Sequence, residues 1–186
     1  MRHHEREHLA NTMWDAPITT DPFATTALVF IIAATISISF IDSLWMVIPD
    51  AMNLCLGAGG LLAARHLPPI TVSESVTGLV IGGATAWLFR LLYRKARGRE
   101  GIGLGDVKFL AAAGTWVGAE GLAPLLLAAS TTGLLLVGGR LLAGHKLRPT
   151  DRLPFAPFLC IGLLCVVIPQ ILSGSLIHEL LLRALP

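Results

Sequence analysis

Charged residues are scarce in this sequence, and their scarcity excludes an ordinary soluble domain. Only 14% of the 186 residues are Asp, Glu, Lys or Arg, whereas 54% are hydrophobic and the mean hydropathy is +0.71. Soluble domains carry about 25% charged residues. The formal net charge of +2 is too small to indicate a nucleic-acid partner. We expect an integral membrane protein, helical rather than a β-barrel because its apolar segments have the length of helices.

Cysteine is also sparse, and its placement excludes the common cysteine motifs. Cys55, Cys160 and Cys165 lie in apolar stretches, and none belongs to a C-x-x-C pair. The sequence therefore predicts no zinc site, no other metal or cofactor, and no disulfide framework. We expect three small, buried, hydrophobic side chains. We also expect no cleavable signal peptide, because residues 1–22 are polar and partly acidic.

Long apolar segments separated by short polar ones predict an all-α, polytopic membrane bundle of about six transmembrane helices. A helix needs about 20 apolar residues to cross a bilayer. We expect the domain organisation to be a polar N-terminal tail (1–22), a membrane domain (23–172) and an amphipathic C-terminal tail (173–186). That tail either extends the last helix or lies on the membrane surface. The six predicted helices cover about residues 24–48, 51–64, 71–93, 106–119, 122–143 and 154–172.

Two clusters of basic residues, at 90–99 and 140–152, predict the orientation of the bundle. Lys and Arg are enriched in cytoplasmic loops and can also contact anionic lipid. With both clusters in the cytoplasm, the end of the first helix and the start of the fourth lie at the cytoplasmic face of the inner (plasma) membrane. Topology thus places Asp42 and Asp106 at one depth. The predicted fourth helix is only about 21 Å long, which recesses Asp106 below the interface.

The most distinctive stretch alternates glycine with aliphatic residues over 101–105 and ends in Asp106. Glycine permits positive φ and close backbone packing. A dinucleotide-binding fingerprint does not fit, because the spacing is G-x-G-x-G-D and no βαβ pattern surrounds it. Asp106 stands where a helix N-cap belongs, and capping alone is one interpretation of it.

Two further charged residues have open interpretations. Asp50 follows Pro49 and is expected mainly to cap the second helix, with a supporting role in a site as the alternative. Lys108 either extends its ammonium group to the membrane interface or adjusts the ionisation of the pair Asp42 and Asp106.

Two carboxylates at one depth suggest a catalytic pair. In a pocket of low dielectric constant, neighbouring carboxylates cannot both ionise easily, so they titrate as a unit. The ionised member can activate water while the protonated member gives a proton to the substrate. This is aspartyl protease chemistry and needs no metal. The alternative for Asp42 is a structural polar residue bonded to a neighbouring helix.

Four ordered motifs resemble the type IV prepilin peptidase and preflagellin peptidase family of GxGD intramembrane aspartyl proteases. Gly103-Leu104-Gly105-Asp106 is similar to the GxGD signature, and residues 107–114 resemble its continuation in the prepilin branch. Asp42, eight residues before the end of the Ile48-Pro49-Asp50 turn, is similar to the first catalytic aspartate and the turn after it. Residues 154–158, Pro-Phe-Ala-Pro-Phe, resemble the entry to the last helix.

The resemblance implies an aspartic endopeptidase with Asp42 and Asp106 as the catalytic residues. Its substrates would be prepilin or pseudopilin precursors of Flp/Tad type, cut at the cytoplasmic face between a short basic leader and an apolar helix. Long members of the family carry paired C-x-x-C motifs and methylate the new N-terminus; without those motifs, we expect no N-methyltransferase activity. The supporting or substrate-binding residues would be Gly103, Gly105, Lys108, Asp50 and Pro49.

Two other functions stay open. A membrane scaffold or an ion- or proton-translocating subunit would also use intramembrane aspartates, although the internal repeat typical of transporters is not evident. A homologue that binds pilins without cutting them would carry the same motifs. The sequence predicts contact with membrane lipid, no nucleic-acid partner, and no particular oligomeric state.

Overall fold

The computed structural model describes residues 22–67, 70–98, 101–144 and 154–184, with side chains described as far as residue 173. These residues contain helices and no strands, which confirms the all-α class. Apart from Pro22, the polar N-terminal tail lies outside the described residues. The helices are α1 (Pro22–Trp45), α2 (Asp50–Ala63), α3 (Val72–Arg97), α4 (Leu104–Leu142) and α5 (Ala156–Ala184).

Four of the described helices are long and apolar enough to cross a membrane, namely α1, α3, α4 and α5 as far as Ser173. Helix α2 has only 14 residues, or about 21 Å, which is less than the roughly 30 Å of a hydrocarbon core. The membrane assignment is therefore supported, but the predicted count of about six spans is not confirmed. The backbone of α5 stays helical to Ala184, so most of the predicted C-terminal tail extends that helix.

Helix α4 is interrupted at Gly118, where φ is 67° and ψ is −179°. This conformation is available almost only to glycine. A Cβ atom added to Gly82 of α3 would lie within 3.3 Å of both Leu110 and Leu122. Along a straight helix these two residues would be about 18 Å apart. The chain therefore turns back at Gly118. We predicted the break between the helices at 106–119 and 122–143; it falls earlier because Gly118 is the glycine that takes positive φ.

Glycines bring α3 and the first part of α4 into backbone contact. A Cβ atom at Gly78 or at Gly114 would collide with the backbone of the opposite glycine. Beside this contact, the Ser75 hydroxyl donates a buried hydrogen bond of 2.6 Å to the Thr115 carbonyl. Small residues are typical of helix contacts in membranes, because dispersion and interhelical hydrogen bonds replace the hydrophobic effect there. This contact fixes the first part of α4 against α3.

The core lies where the first part of α4 meets α2 and α5. Phe109, Leu163 and Leu56 are fully buried there, and the Trp116 indole donates a 2.8 Å hydrogen bond to the Leu56 carbonyl.

The three cysteines do not share one environment. Cys160 is buried, as we expected, but Cys55 and Cys165 are exposed. The prediction of three buried thiols is thus wrong for two of them, because both face outward from the bundle.

Candidate active site

Asp42 lies one turn before the end of α1 and is only 6% exposed. Its Oδ2 accepts a hydrogen bond of 3.1 Å from the backbone N–H of Ala156, the first residue of α5. The first N–H groups of a helix have no partner within the helix, and the helix dipole favours negative charge at that end. The N-terminus of α5 therefore holds the Asp42 carboxylate in place.

The Pro-Phe-Ala-Pro-Phe segment explains how α5 reaches this carboxylate. Pro157 suits the first turn of a helix, because the N–H that proline lacks is not needed there. Ala156 is completely buried, so a larger side chain would displace the N–H group that contacts Asp42. The sequence matched this segment to a family motif, but it did not predict the contact with α1.

Asp106 is the third residue of α4 and is partly buried. The N-cap of the helix is Gly103, and its N–H donates to Asp106 Oδ2 over 3.3 Å. The interpretation of Asp106 as the N-cap is therefore wrong. Instead, its carboxylate folds back from the first turn and pairs the N–H of the cap residue, as the third helical residue of a capping box does.

Asp42 and Asp106 line one cleft of about 340 Å³. The two carboxylates are close enough to interact electrostatically. Of the predicted supporting residues, all but Pro49 also line this cleft. The structure thus brings the predicted pair together, and their catalytic role stays a prediction. The other lining residues are Met46, Val47, Ile48, Asp50, Gly103, Leu104, Gly105 and Lys108.

An ion pair joins α2 to α4 at the side of the cleft. Lys108 Nζ lies 2.6 Å from Asp50 Oδ1, and the two side chains are 49% and 74% exposed. Such an exposed pair contributes about 0–1 kcal/mol to stability. The N-cap of α2 is Pro49, with no side-chain capping bond. The prediction that Asp50 caps α2 is therefore wrong: Asp50 starts the helix and faces Lys108, a partner that neither interpretation of Lys108 named.

Two buried polar side chains hold the glycine segment ahead of the second aspartate. Arg90 of α3 is 8% exposed, and its Nη1 donates a hydrogen bond to the Ile102 carbonyl. Asn53 of α2 is 5% exposed, and its Nδ2 donates to the Gly105 carbonyl over 3.4 Å. The backbone leading into Asp106 is thus fixed at two points, by two different helices.

Comparison with known proteins identifies the family of the chain. Residues 28–138 match the type IV leader peptidase family. The chain belongs to this family. The matched residues include Asp42, the glycine segment and Asp106, so the resemblance seen in the motifs is confirmed.

Curated leader peptidases of several bacteria are similar to the chain. A protein of Dickeya chrysanthemi named prepilin leader peptidase/N-methyltransferase is 35% identical over 141 residues, which are 75% of this chain and 49% of the relative. A protein of the same name from Dichelobacter nodosus is 36% identical over 127 residues, 68% of this chain and 43% of the relative. The chain spans about half the length of the curated relatives it matches. No solved structure matches the chain.

Sequence reasoning missed Arg90 and Asn53 as site residues of this leader peptidase family member. We assigned Arg90 to the basic cluster at 90–99 that orients the bundle. Its position carried a usable signal, because Arg90 lies inside an apolar run, whereas Arg94 follows that run. Asn53 likewise interrupts an apolar stretch. Polar side chains within membrane segments are costly and usually have a partner or a role.

The cleft offers two carboxylates, each with one backbone N–H donor, beside a segment rich in glycine. This combination suits acid and base catalysis on an extended peptide. Among the residues that the structure describes, no group of three or more His, Cys, Asp and Glu side chains could hold a metal ion.

Proposed function

We propose that this protein is a membrane aspartyl endopeptidase that removes leader peptides from type IV prepilin-like precursors, including Flp/Tad pilins or pseudopilins. The single observation that carries the proposal is the cleft shared by Asp42 and Asp106. Membership of the leader peptidase family and relatives named prepilin leader peptidase/N-methyltransferase support the reaction and the substrate class.

In the proposed mechanism, the two carboxylates share one proton. The ionised member takes a proton from a water molecule, and the oxygen of that water attacks the scissile carbonyl carbon. The protonated member gives its proton to the carbonyl oxygen, which forms a gem-diol. As the C–N bond breaks, the member that took the water proton gives it to the leaving amine. The other member takes a proton back from the gem-diol as the new carboxyl group forms, so the pair again shares one proton. The N–H groups of Ala156 and Gly103 orient the carboxylates of Asp42 and Asp106 throughout.

The glycines leave room for this chemistry. A Cβ atom at Gly105 would lie 3.2 Å from Ile48 Cβ, and one at Gly103 would lie 3.2 Å from Asp106 Oδ2. Both distances are shorter than an ordinary van der Waals contact. Glycine at these positions therefore lets the α1–α2 loop approach α4, and it keeps the carboxylate and a bound peptide free of steric conflict.

We place the cleft at the cytoplasmic face of the inner (plasma) membrane. Helix α3 ends with Arg94, Lys95 and Arg97, shortly before the chain reaches the cleft. Basic residues beside a membrane span favour the cytoplasm. A precursor would therefore be cut while its leader lies in the cytoplasm.

The direct test mixes purified, detergent-solubilised protein with a prepilin precursor and follows loss of the leader on a gel. Mass spectrometry then identifies the new N-terminus. We expect one cut between the leader and the apolar helix, at the same rate with and without a chelator. An intact precursor, tested against several pilins with folded protein, would contradict the proposal and favour a transport or scaffold role.

A further inference from the structure

An apolar groove opens directly beside the catalytic cleft. One wall of the groove is α2 from Asp50 to Leu61. The other wall is formed by Leu79 of α3 and by α4 between Lys108 and Ala112. The volume of the groove is about 540 Å³. Asp50 and Lys108 line both the cleft and the groove. The two spaces therefore adjoin, and the ion pair lies between them.

The dimensions of the groove suit a helix that leaves the cleft and enters the membrane. From Asp50 to Leu61, α2 advances about 16 Å, which is roughly half of a hydrocarbon core. Small side chains let helix backbones approach closely, and close packing drives helix association in lipid. The small residues that line the groove are Ala51, Gly57, Ala58, Ala111 and Ala112.

The groove differs from a plain lipid-facing surface because one end of it adjoins the cleft. Asp50 and Lys108 line both spaces, whereas the rest of the groove is lined by apolar residues and Asn53. A peptide that is cut in the cleft and continues as an apolar helix matches this change from charged to apolar lining. A lipid acyl chain matches only the apolar part, so an incoming helix is a better occupant than lipid.

We propose that this groove receives the apolar helix of the substrate, immediately after the bond that is cut. The inference rests on the proposed peptidase function, which supplies a substrate whose leader is followed by such a helix. The chain passes from the dyad into the groove beside Asp50 and Lys108, and its first helical turn lies at the level of Asn53. Helix docking then sets the depth at which the scissile bond meets Asp42 and Asp106, and so selects the cut site.

A photo-crosslinking amino acid tests where the substrate lies. It replaces Leu54, which lines the groove and is 74% exposed, or, as the matched control, Leu127, which is 68% exposed on α4. Both are introduced with Asp106→Asn, so that the precursor stays intact. We expect crosslinks to the precursor from position 54 and none from position 127. Crosslinks to lipid alone at position 54, or equal precursor crosslinks at both positions, would overturn the proposal.

A filled groove tests whether docking there matters for cleavage. Ala58→Phe places a ring in the groove, and Ala33→Phe places one in a separate apolar groove between α1 and α2. We expect KM for the full precursor to rise about tenfold in Ala58→Phe, a loss of about 1.4 kcal/mol of binding free energy, and to stay unchanged in Ala33→Phe. If the wild type cleaves and folded Ala58→Phe cleaves equally well, the groove proposal alone fails. If the wild type cleaves nothing, the proposed function fails.

Discussion

Replacing Arg90 by Met tests whether a buried guanidinium positions the glycine segment. The substitution keeps a long side chain but removes the hydrogen bond to the Ile102 carbonyl. A hydrogen bond from a charged group contributes about 1.5–3 kcal/mol. If this hydrogen bond holds Asp106 in its reactive position, losing its full free energy in the transition state lowers kcat about 10- to 150-fold.

The assay for this prediction measures kcat and KM for precursor cleavage together with the unfolding temperature. Arg94→Gln is the matched control, because Arg94 lies one turn further along α3 but is exposed. We expect Arg90→Lys to recover part of the lost kcat, since an ammonium group can still donate to a carbonyl. The reasoning would be refuted if Arg90→Met lowered the unfolding temperature and left kcat unchanged, because Arg90 would then act on stability alone.

Two further substitutions test the fold and the ion pair. Gly118→Ala should lower the free energy of unfolding by about 1–3 kcal/mol, because a residue with a Cβ is strained at this φ and ψ. The control is Gly138→Ala, where a new Cβ has no neighbour within 4 Å and the free energy of unfolding should not fall. Equal losses of stability in the two variants would show that strain at the Gly118 turn is not the cause. Lys108→Gln should change the free energy of unfolding by less than about 1 kcal/mol, because its ion pair with Asp50 is exposed. A larger loss in denaturant titration would mean that the ion pair contributes more to stability than its exposure suggests.

Hydropathy predicted where the helices lie, but it could not predict where they end. We expected the first helix to run to Ile48, yet α1 ends at Trp45. Met46 adopts a positive φ of 52°, and the apolar residues 46–48 leave the helix to line the cleft. We expected the third helix to stop at Tyr93, but α3 continues to Arg97, because basic residues extend a helix beyond the membrane as readily as apolar ones do.

The motifs predicted which aspartates meet, and the structure has both in one cleft. They could not predict the contacts that hold the pair, since these join residues far apart in the sequence. The bonds from Ala156 to Asp42 and from Asn53 to Gly105 arise only when α5 and α2 pack against their neighbours. The capping predictions for Asp50 and Asp106 were wrong for a local reason: Pro49 and Gly103 occupy the cap positions one and three residues earlier.

The most direct test of the central claim compares Asp42→Asn, Asp106→Asn and the double variant in single-turnover cleavage of one precursor. Residues that act as one catalytic unit show strongly non-additive losses. We predict that each folded single variant loses essentially all cleavage and that the double variant is no worse than either single one. Wild-type cleavage by folded Asp42→Asn or Asp106→Asn would contradict the account, because one carboxylate would then suffice.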